Sequence, residues 1–354
     1  MCARLFPNMT DEEKLTPPEL REAAEAAREG VIPAKSKDVY EKAYARFMAW
    51  LASQGTDRIS ENTLLPYFRE MLKEKKPTTM WSEYSALKKM LRVRHAIDIS
   101  AFASISDTLK QESKRHQKKK AATFTSEQVD EFLEKAPDTL EFQQDKLALL
   151  LGLYGGLRSE EYCSIQFEDV QMFDDHLKVT IKQRKTDQAG EGTTFFALSC
   201  QQQFRCPVKT FRRYRDAFHI KQEGPLFRQV RSGKVTQQKR GKTFFYDLPK
   251  RVAEYLRLDD KEKYTGHAIR RTATTWLAER GASTNIIQKF GGWKSASVAQ
   301  GYIDDSDKMR SAIATTIQSD GAQAIQLTAA QNIAQASTFS FTGCTVTINY
   351  NAKE

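Results

Sequence analysis

The 354-residue sequence predicts a mainly α-helical protein with a small antiparallel β-sheet, built as two domains. Three observations carry that prediction. Apolar residues between positions 35 and 112 recur at three- and four-residue spacing, the period of a helix face. A basic run, Lys114-Arg115-His116-Gln117-Lys118-Lys119-Lys120, then breaks the pattern, with no apolar residue and charge of one sign, and reads as a linker. Beyond it, Leu177-Lys178-Val179-Thr180-Ile181 alternates as a strand does, and a polar, glycine-bearing turn at 184–192 leads to a return strand at 193–198.

Residues 1–33 read as a loosely structured leader with one Ala/Glu/Arg-rich helix, Glu19 to Arg28, ended by Gly30. Residues 34–113 read as a helical domain. Val39, Ala43, Phe47 and Trp50-Leu51 mark its first helix, and Leu64, Leu65, Phe68 and Leu72 a second that stops near Pro77. Trp81, Tyr84, Leu87, Met90 and Leu91 mark a third, with Lys88, Lys89, Arg92 and Arg94 interleaved, and Phe102 to Leu109 a fourth. The linker occupies 114–122 and the second domain 123–310. There Ser126 is expected to cap a helix through Val129, Phe132 and Leu133, Leu147 to Tyr154 forms a buried helix ending at Gly155-Gly156, and Arg158 opens the next with Glu161 one turn on. Cys206-Pro207 begins a basic helix, 230–242 reads as a mobile basic loop facing a polyanion, and Phe244, Phe245, Leu248, Val252 and Leu256 form one helical stripe. The tail, 311–354, ends in an alternating stretch from Phe339 to Tyr350, and a lone strand needs a partner.

Composition narrows the class. Apolar residues make up 40% and charged residues 28%, as in soluble globular domains, with no secretory pattern or membrane-length apolar run. The net charge is +10, and residues 1–30 are acidic, so the rest carries about +13 and favours a polyanionic partner. The five cysteines, Cys2, Cys163, Cys200, Cys206 and Cys344, are odd in number and scattered, which argues for a reducing compartment. Cys200 and Cys206 with His219 lack a zinc spacing, and no metal or cofactor motif is visible.

The chemistry concentrates between Tyr264 and Tyr302. On a helix over 267–280, His267, Arg270, Arg271 and Thr274 share one face and Ile269, Ala273, Trp276 and Leu277 the other, with Gly281 as the stop and Ser283 as the next cap. A lone His-x-x-Arg is ordinarily a solvated helix face. Here Arg158 follows a tight apolar segment upstream, and Tyr302 follows the Gly291-Gly292-Trp293 turn. Two arginines can bind the non-bridging oxygens of a phosphodiester, and a tyrosine can attack it.

These residues, with Thr79-Met80-Trp81, Phe124-Thr125-Ser126-Glu127 and Gly291-Gly292-Trp293-Lys294-Ser295, resemble the tyrosine recombinases of the phage integrase superfamily, Cre-like and most of all the crypton-type recombinase-like proteins of animals. The resemblance spans residues 35 to 310. It implies a helical core-binding (SAM-like) domain followed by a DNA breaking–rejoining catalytic domain. It implies DNA strand exchange through a 3′-phosphotyrosine, without metal, ATP or other cofactor. Tyr302 is then the nucleophile, Arg158 and Arg270 the phosphate ligands, Lys185 the general acid on the hairpin and His267 the proton acceptor or phosphate contact. Lys182 and Arg184 leave the register of the hairpin lysine open. Trp293 stands where much of the family has histidine, and Glu161 orients Arg158 or His267. Lys88, Lys89, Arg92, Arg94, Lys118, Lys119, Lys120 and Arg271 become DNA contacts. The partner implied is double-stranded DNA, with self-association as a tetramer on paired sites, and the crypton likeness with the 114–120 run implies a nuclear location. A DNA-binding protein of the same fold without recombination activity, and a type IB topoisomerase-like relaxase, stand as alternatives.

Overall fold

The computed structural model describes residues 16–116, 120–182, 192–219 and 223–318. The chain divides into two compact units, one ending at Lys119 and the other beginning at Lys120.

The first unit is helical. α1 (Pro18–Gly30), α2 (Lys37–Ser53), α3 (Glu61–Met71), α4 (Pro77–His95) and α5 (Ala103–Arg115) follow in order. Ser60 starts α3 through a capping box with Thr63. Pro77 does not stop a helix but starts α4, at a position where a missing N–H costs nothing. Phe47, Leu64, Phe68, Leu87 and Leu109 meet in the core, while Val39, expected inside, is exposed. Glu83 is buried among them and accepts from Arg46 Nη2 at 2.5 Å and Tyr67 Oη at 2.9 Å. Arg94 is among the residues expected at phosphate. Its guanidinium pairs with Glu41 at 2.6 Å and Glu29 at 3.0 Å and lies over the Tyr44 ring, so it ties α4 to α1 and α2. Lys88 and Lys89 are half-buried and Arg92 is exposed.

The second unit is organised on α7. α6 (Ser126–Lys135) is capped by Thr125, one residue before the expected Ser126, because the Thr125 hydroxyl and the Gln128 side chain satisfy each other's backbone N–H groups. α7 (Leu140–Gly155) is buried from Gln144 to Gly152 and ends on Gly156 in the left-handed region. α8 (Ser159–Ser164) follows at once. β1 (Val170–Met172), β2 (His176–Ile181) and β3 (Thr193–Leu198) form an antiparallel sheet in that order, with His176 opposite Leu198 and Ile181 opposite Thr193. Leu177, Val179 and Ile181 point inward at every second position. β1, three residues long, is too short for alternation to reveal.

α9 (Pro207–Ala217) is the basic helix. The stretch read as a loop at 230–242 is largely a hairpin, β4 (Arg228–Arg231) and β5 (Lys234–Lys239), turned by Ser232 and Gly233 at positive φ. The single stripe expected over 244–256 is two helices, α10 (Lys242–Tyr246) and α11 (Leu248–Tyr255), the second with Pro249 in its first turn. α12 (Ala268–Glu279), α13 (Thr284–Gly291), α14 (Ala296–Asp304) and α15 (Asp307–Gln318) complete the described chain. Gly281 follows α12 at φ +82° and the Ser283 hydroxyl caps α13. The alternating stretch 339–350 lies outside the described residues, as do Cys2 and Cys344. Among the described residues no helix is long and apolar enough to cross a membrane.

Gly156 tests this frame. Its φ is +55°, and an added Cβ would lie 2.9 Å from the Phe290 ring. Gly156→Ala should destabilise the second unit by about 1–3 kcal/mol. Gly301→Ala, within a helix where a Cβ meets nothing within 4 Å, should be neutral or stabilising by up to ~1 kcal/mol. Urea unfolding of the two variants checks both values.

Candidate active site

Arg158, His267, Arg270, Arg271, Trp293 and Tyr302 line one cleft of about 480 Å³, together with Lys120, Ala121, Ser297, Val298, Gly301 and Asp305. These residues come from the end of the linker, the α7–α8 junction, the start of α12, the turn after α13, and α14.

Arg158 is the cap residue of α8. Glu161, buried one turn on, accepts from its backbone N–H at 2.9 Å and from its Nη1 at 2.8 Å. Of the two roles open to Glu161, this geometry puts it on Arg158, where it holds the guanidinium at the cleft wall.

Arg270 is only 6% exposed. Its Nη1 donates to the Gly156 carbonyl at 2.5 Å and its Nη2 to the Gly291 carbonyl. Both carbonyls stand at helix C-termini, those of α7 and α13, where the partial negative charge favours a cation. The guanidinium also lies 5.2 Å from the Trp293 ring centroid. Trp293 in turn stacks on Tyr302, with ring centroids 5.6 Å apart and planes 18° from parallel. Gln288 Nε2 donates to the carbonyls of Trp293 and Lys294 and holds the turn. Thr274, expected to face the site with Arg270, is buried and donates to the Arg270 carbonyl, because α12 is packed on more than one side.

His267 caps α12. Burial holds its pKa below the ordinary value, and the charges of Arg270 and Arg158 push it the same way. It is therefore neutral at pH 7 and able to accept a proton. Arg271 donates to the Ala121 carbonyl, and Lys120 pairs with Asp305 at 2.6 Å at the rim. Asp305, one turn beyond Tyr302, escaped the sequence reading, as did Ser297 and Val298 on the same helix. Their helical spacing from Tyr302 was the available signal.

Lys185, Lys118 and Lys119 lie outside the described residues, as does Arg184. Lys182, the alternative hairpin lysine, follows β2 and pairs with Asp169 at 2.6 Å, and it does not line the cleft. Two other tyrosines of the region lie outside the cleft. Tyr264 packs on Phe124 and Tyr255 on Phe132 and Phe142. A cleft with three arginines, a neutral histidine and a phenol suits an attacked phosphate ester.

Residues 122–309 match the phage integrase family. The chain belongs to that family, the tyrosine recombinases. An integrase/recombinase XerD homolog from Selenomonas ruminantium is 25% identical over 166 residues, 46% of this chain and 48% of the relative, so the match spans about half of that protein's length. In fold, the chain is similar to the XerH site-specific recombinase bound to palindromic difH substrate in a post-cleavage complex (TM-score 0.59, 14% identity, 85% of this chain and 84% of that one). It is also similar to the Tn1549 transposon integrase in complex with transposon right end DNA (TM-score 0.56, 16% identity, 84% and 98%).

The electrostatics of the cleft predict how His267 titrates. With the folded pKa below the unfolded value near 6.5, the unfolded chain takes up the proton first. The histidine thus costs stability as pH falls through ~6.5 toward its lower folded pKa, and costs none well above ~6.5. In NMR, its ring signals should titrate below pH 6.5 in the free protein and at higher pH once duplex DNA is bound, because a phosphate offsets the two arginines. A free-protein midpoint above 6.5 would contradict this account of the cleft.

Proposed function

We propose that the protein breaks and rejoins DNA strands through a covalent link between Tyr302 and a DNA phosphate. The single observation that carries the reading is the convergence of Arg158, His267, Arg270, Trp293 and Tyr302 on one cleft. In the reaction, Tyr302 Oη attacks the phosphorus and the phenolic proton passes to His267. The bond from phosphorus to the 5′-oxygen breaks, leaving a 3′-phosphotyrosine, and the departing oxygen takes a proton from Lys185 as general acid. Arg158 and Arg270 offset the charge that builds on the non-bridging oxygens. Trp293 can donate one hydrogen bond but cannot relay a proton. Attack of a 5′-hydroxyl, its own or a partner strand's, reverses the step and conserves the bond energy, so the scheme requires no metal or ATP.

Tyr302→Phe keeps the ring that stacks on Trp293 and removes only the nucleophile. That variant should bind DNA yet form no adduct on a nicked suicide substrate. Arg158→Ala and Arg270→Ala should slow cleavage by roughly 100-fold or more each. The mass of the DNA-linked peptide after proteolysis identifies the attacking residue. A link at Tyr264 or Tyr255 would overturn the assignment, and binding without any link would favour a DNA-binding protein lacking the reaction.

Assembly on paired sites, as a tetramer, belongs to the same proposal. α15 supports it: Met309, Ile313 and Ile317 recur at one-turn spacing, and Ile313 and Ile317 are 54% and 80% exposed. Deleting residues 311–354 should leave binding to a single site intact and reduce assembly on two sites in native gel shifts. Undiminished assembly would refute the role of this segment. A nuclear location extends the proposal, supported by the basic run 114–120 and by the motif likeness to crypton-type proteins.

A further inference from the structure

The β4–β5 hairpin has no place in the proposed chemistry, yet it is the most uniformly basic feature of the second unit. Between Arg228 and Lys242 the sequence holds Arg228, Arg231, Lys234, Lys239, Arg240 and Lys242 and not one carboxylate. The segment is also rigidly founded. Arg228 is buried and its guanidinium donates to the carbonyls of Pro225 and Glu223 and to Gln237 Oε1. Gln144, fully buried on α7, donates to the Arg228 carbonyl and accepts from Arg240 Nε at 2.8 Å. Val230 and Val235 pack on the core.

Above this base the hairpin projects only polar groups. Ser232, Gly233 and Lys234 at the tip are exposed, as are Gln237, Gln238 and Lys239. Arg231 is fixed between two glutamines. Its Nε and Nη2 donate to Gln229 Oε1 at 3.3 and 3.0 Å, and Nη2 to Gln238 Oε1 at 2.9 Å. An exposed arginine ordinarily samples many rotamers, so holding it by neutral acceptors keeps both its charge and its orientation. Ion pairing would have neutralised it.

The helix that follows the hairpin adjoins the cleft. Lys242, just past β5, pairs with Glu160 on the helix that Arg158 caps. α10 then places Tyr246 against Gly266, beside His267.

We infer that the β4–β5 hairpin enters the major groove and that Arg231 and Gln238 read base edges there, while Gln229, whose Nε2 donates to the Lys239 carbonyl, holds Arg231 in place. A two-stranded ribbon fits that groove, arginine pairs with guanine O6 and N7, and glutamine pairs with adenine. Lys234 and Lys239 flank the reading group and serve the phosphates, which position the protein without conveying sequence. The inference rests on the proposed action on DNA and assigns where part of the sequence selectivity arises.

The test is selection from a pool of duplexes of randomised sequence, with the full chain and its variants. Arg231→Lys keeps the charge and loses the planar fork. It should bind total DNA with nearly unchanged affinity but lose roughly 10-fold preference at one or two adjacent base pairs. Gln238→Ala should relax the same positions. Lys234→Ala should instead weaken all sequences alike and reduce the slope of affinity against salt by about one ion. Covalent-adduct formation at saturating suicide substrate is measured for each variant and reports whether the cleft is intact. If the parent chain enriches a sequence and Arg231→Lys and Gln238→Ala enrich the same one equally, the hairpin does not read bases. If the parent enriches none but still forms the adduct, the reading role falls while the strand-cleavage proposal stands. Loss of both would overturn the two together.

Discussion

A buried guanidinium is costly unless its charge and its donors are met, and Arg270 meets that demand with the carbonyl ends of two helices. The Gly156 carbonyl closes α7 and the Gly291 carbonyl closes α13, so one side chain from α12 locks three helices at one point. The glycines are part of the device. Gly156 and Gly292 both take positive φ, which turns each helix end sharply enough for the chain to leave and the cleft to open. Arg158 leaves from the first turn, Trp293 from the second, and Tyr302 stacks on Trp293. A structural demand, neutralising a buried cation, thereby sets the positions of the other chemical groups.

The charge pattern follows from the same packing. Arg158 is held by Glu161, and Arg270 by neutral carbonyl dipoles, so the cleft keeps a net positive field. Burial, with that field, keeps His267 neutral. Lys120 and Asp305 form an ion pair at the rim, where exposure on both sides makes it weak and easily exchanged for another partner.

The second unit also separates rigid from adaptable polar surface. The hairpin β4–β5 is footed in a buried network of Arg228, Gln144 and Arg240, while Arg251 and Asp145 pair close by at 2.6 Å. Such groups are costly to bury unless fully bonded, and fully bonded they fix geometry. The basic groups of this hairpin therefore stand on a fixed base, unlike those of a solvated lysine run.

By itself the sequence determined the fold class, the family and the residue types of the chemistry. Periodicity sufficed for the long helices and the β2–β3 pair, and the run from Tyr264 to Tyr302 with Arg158 supplied a pattern specific enough to imply recombinase chemistry. Those signals are local, or depend on order along the chain. Tertiary structure alone decided which cations face the cleft and which are spent on carboxylates. Arg94 and Arg270 look alike in sequence, each on a helix among apolar residues, yet Arg94 closes an ion-pair network with Glu29 and Glu41 while Arg270 lines the cleft. The same holds for the hairpin at Arg228–Lys239, read as a loop because its footing lies in Gln144, more than eighty residues away. A charge acquires its role from the partners that folding brings to it, and those partners are distant in sequence.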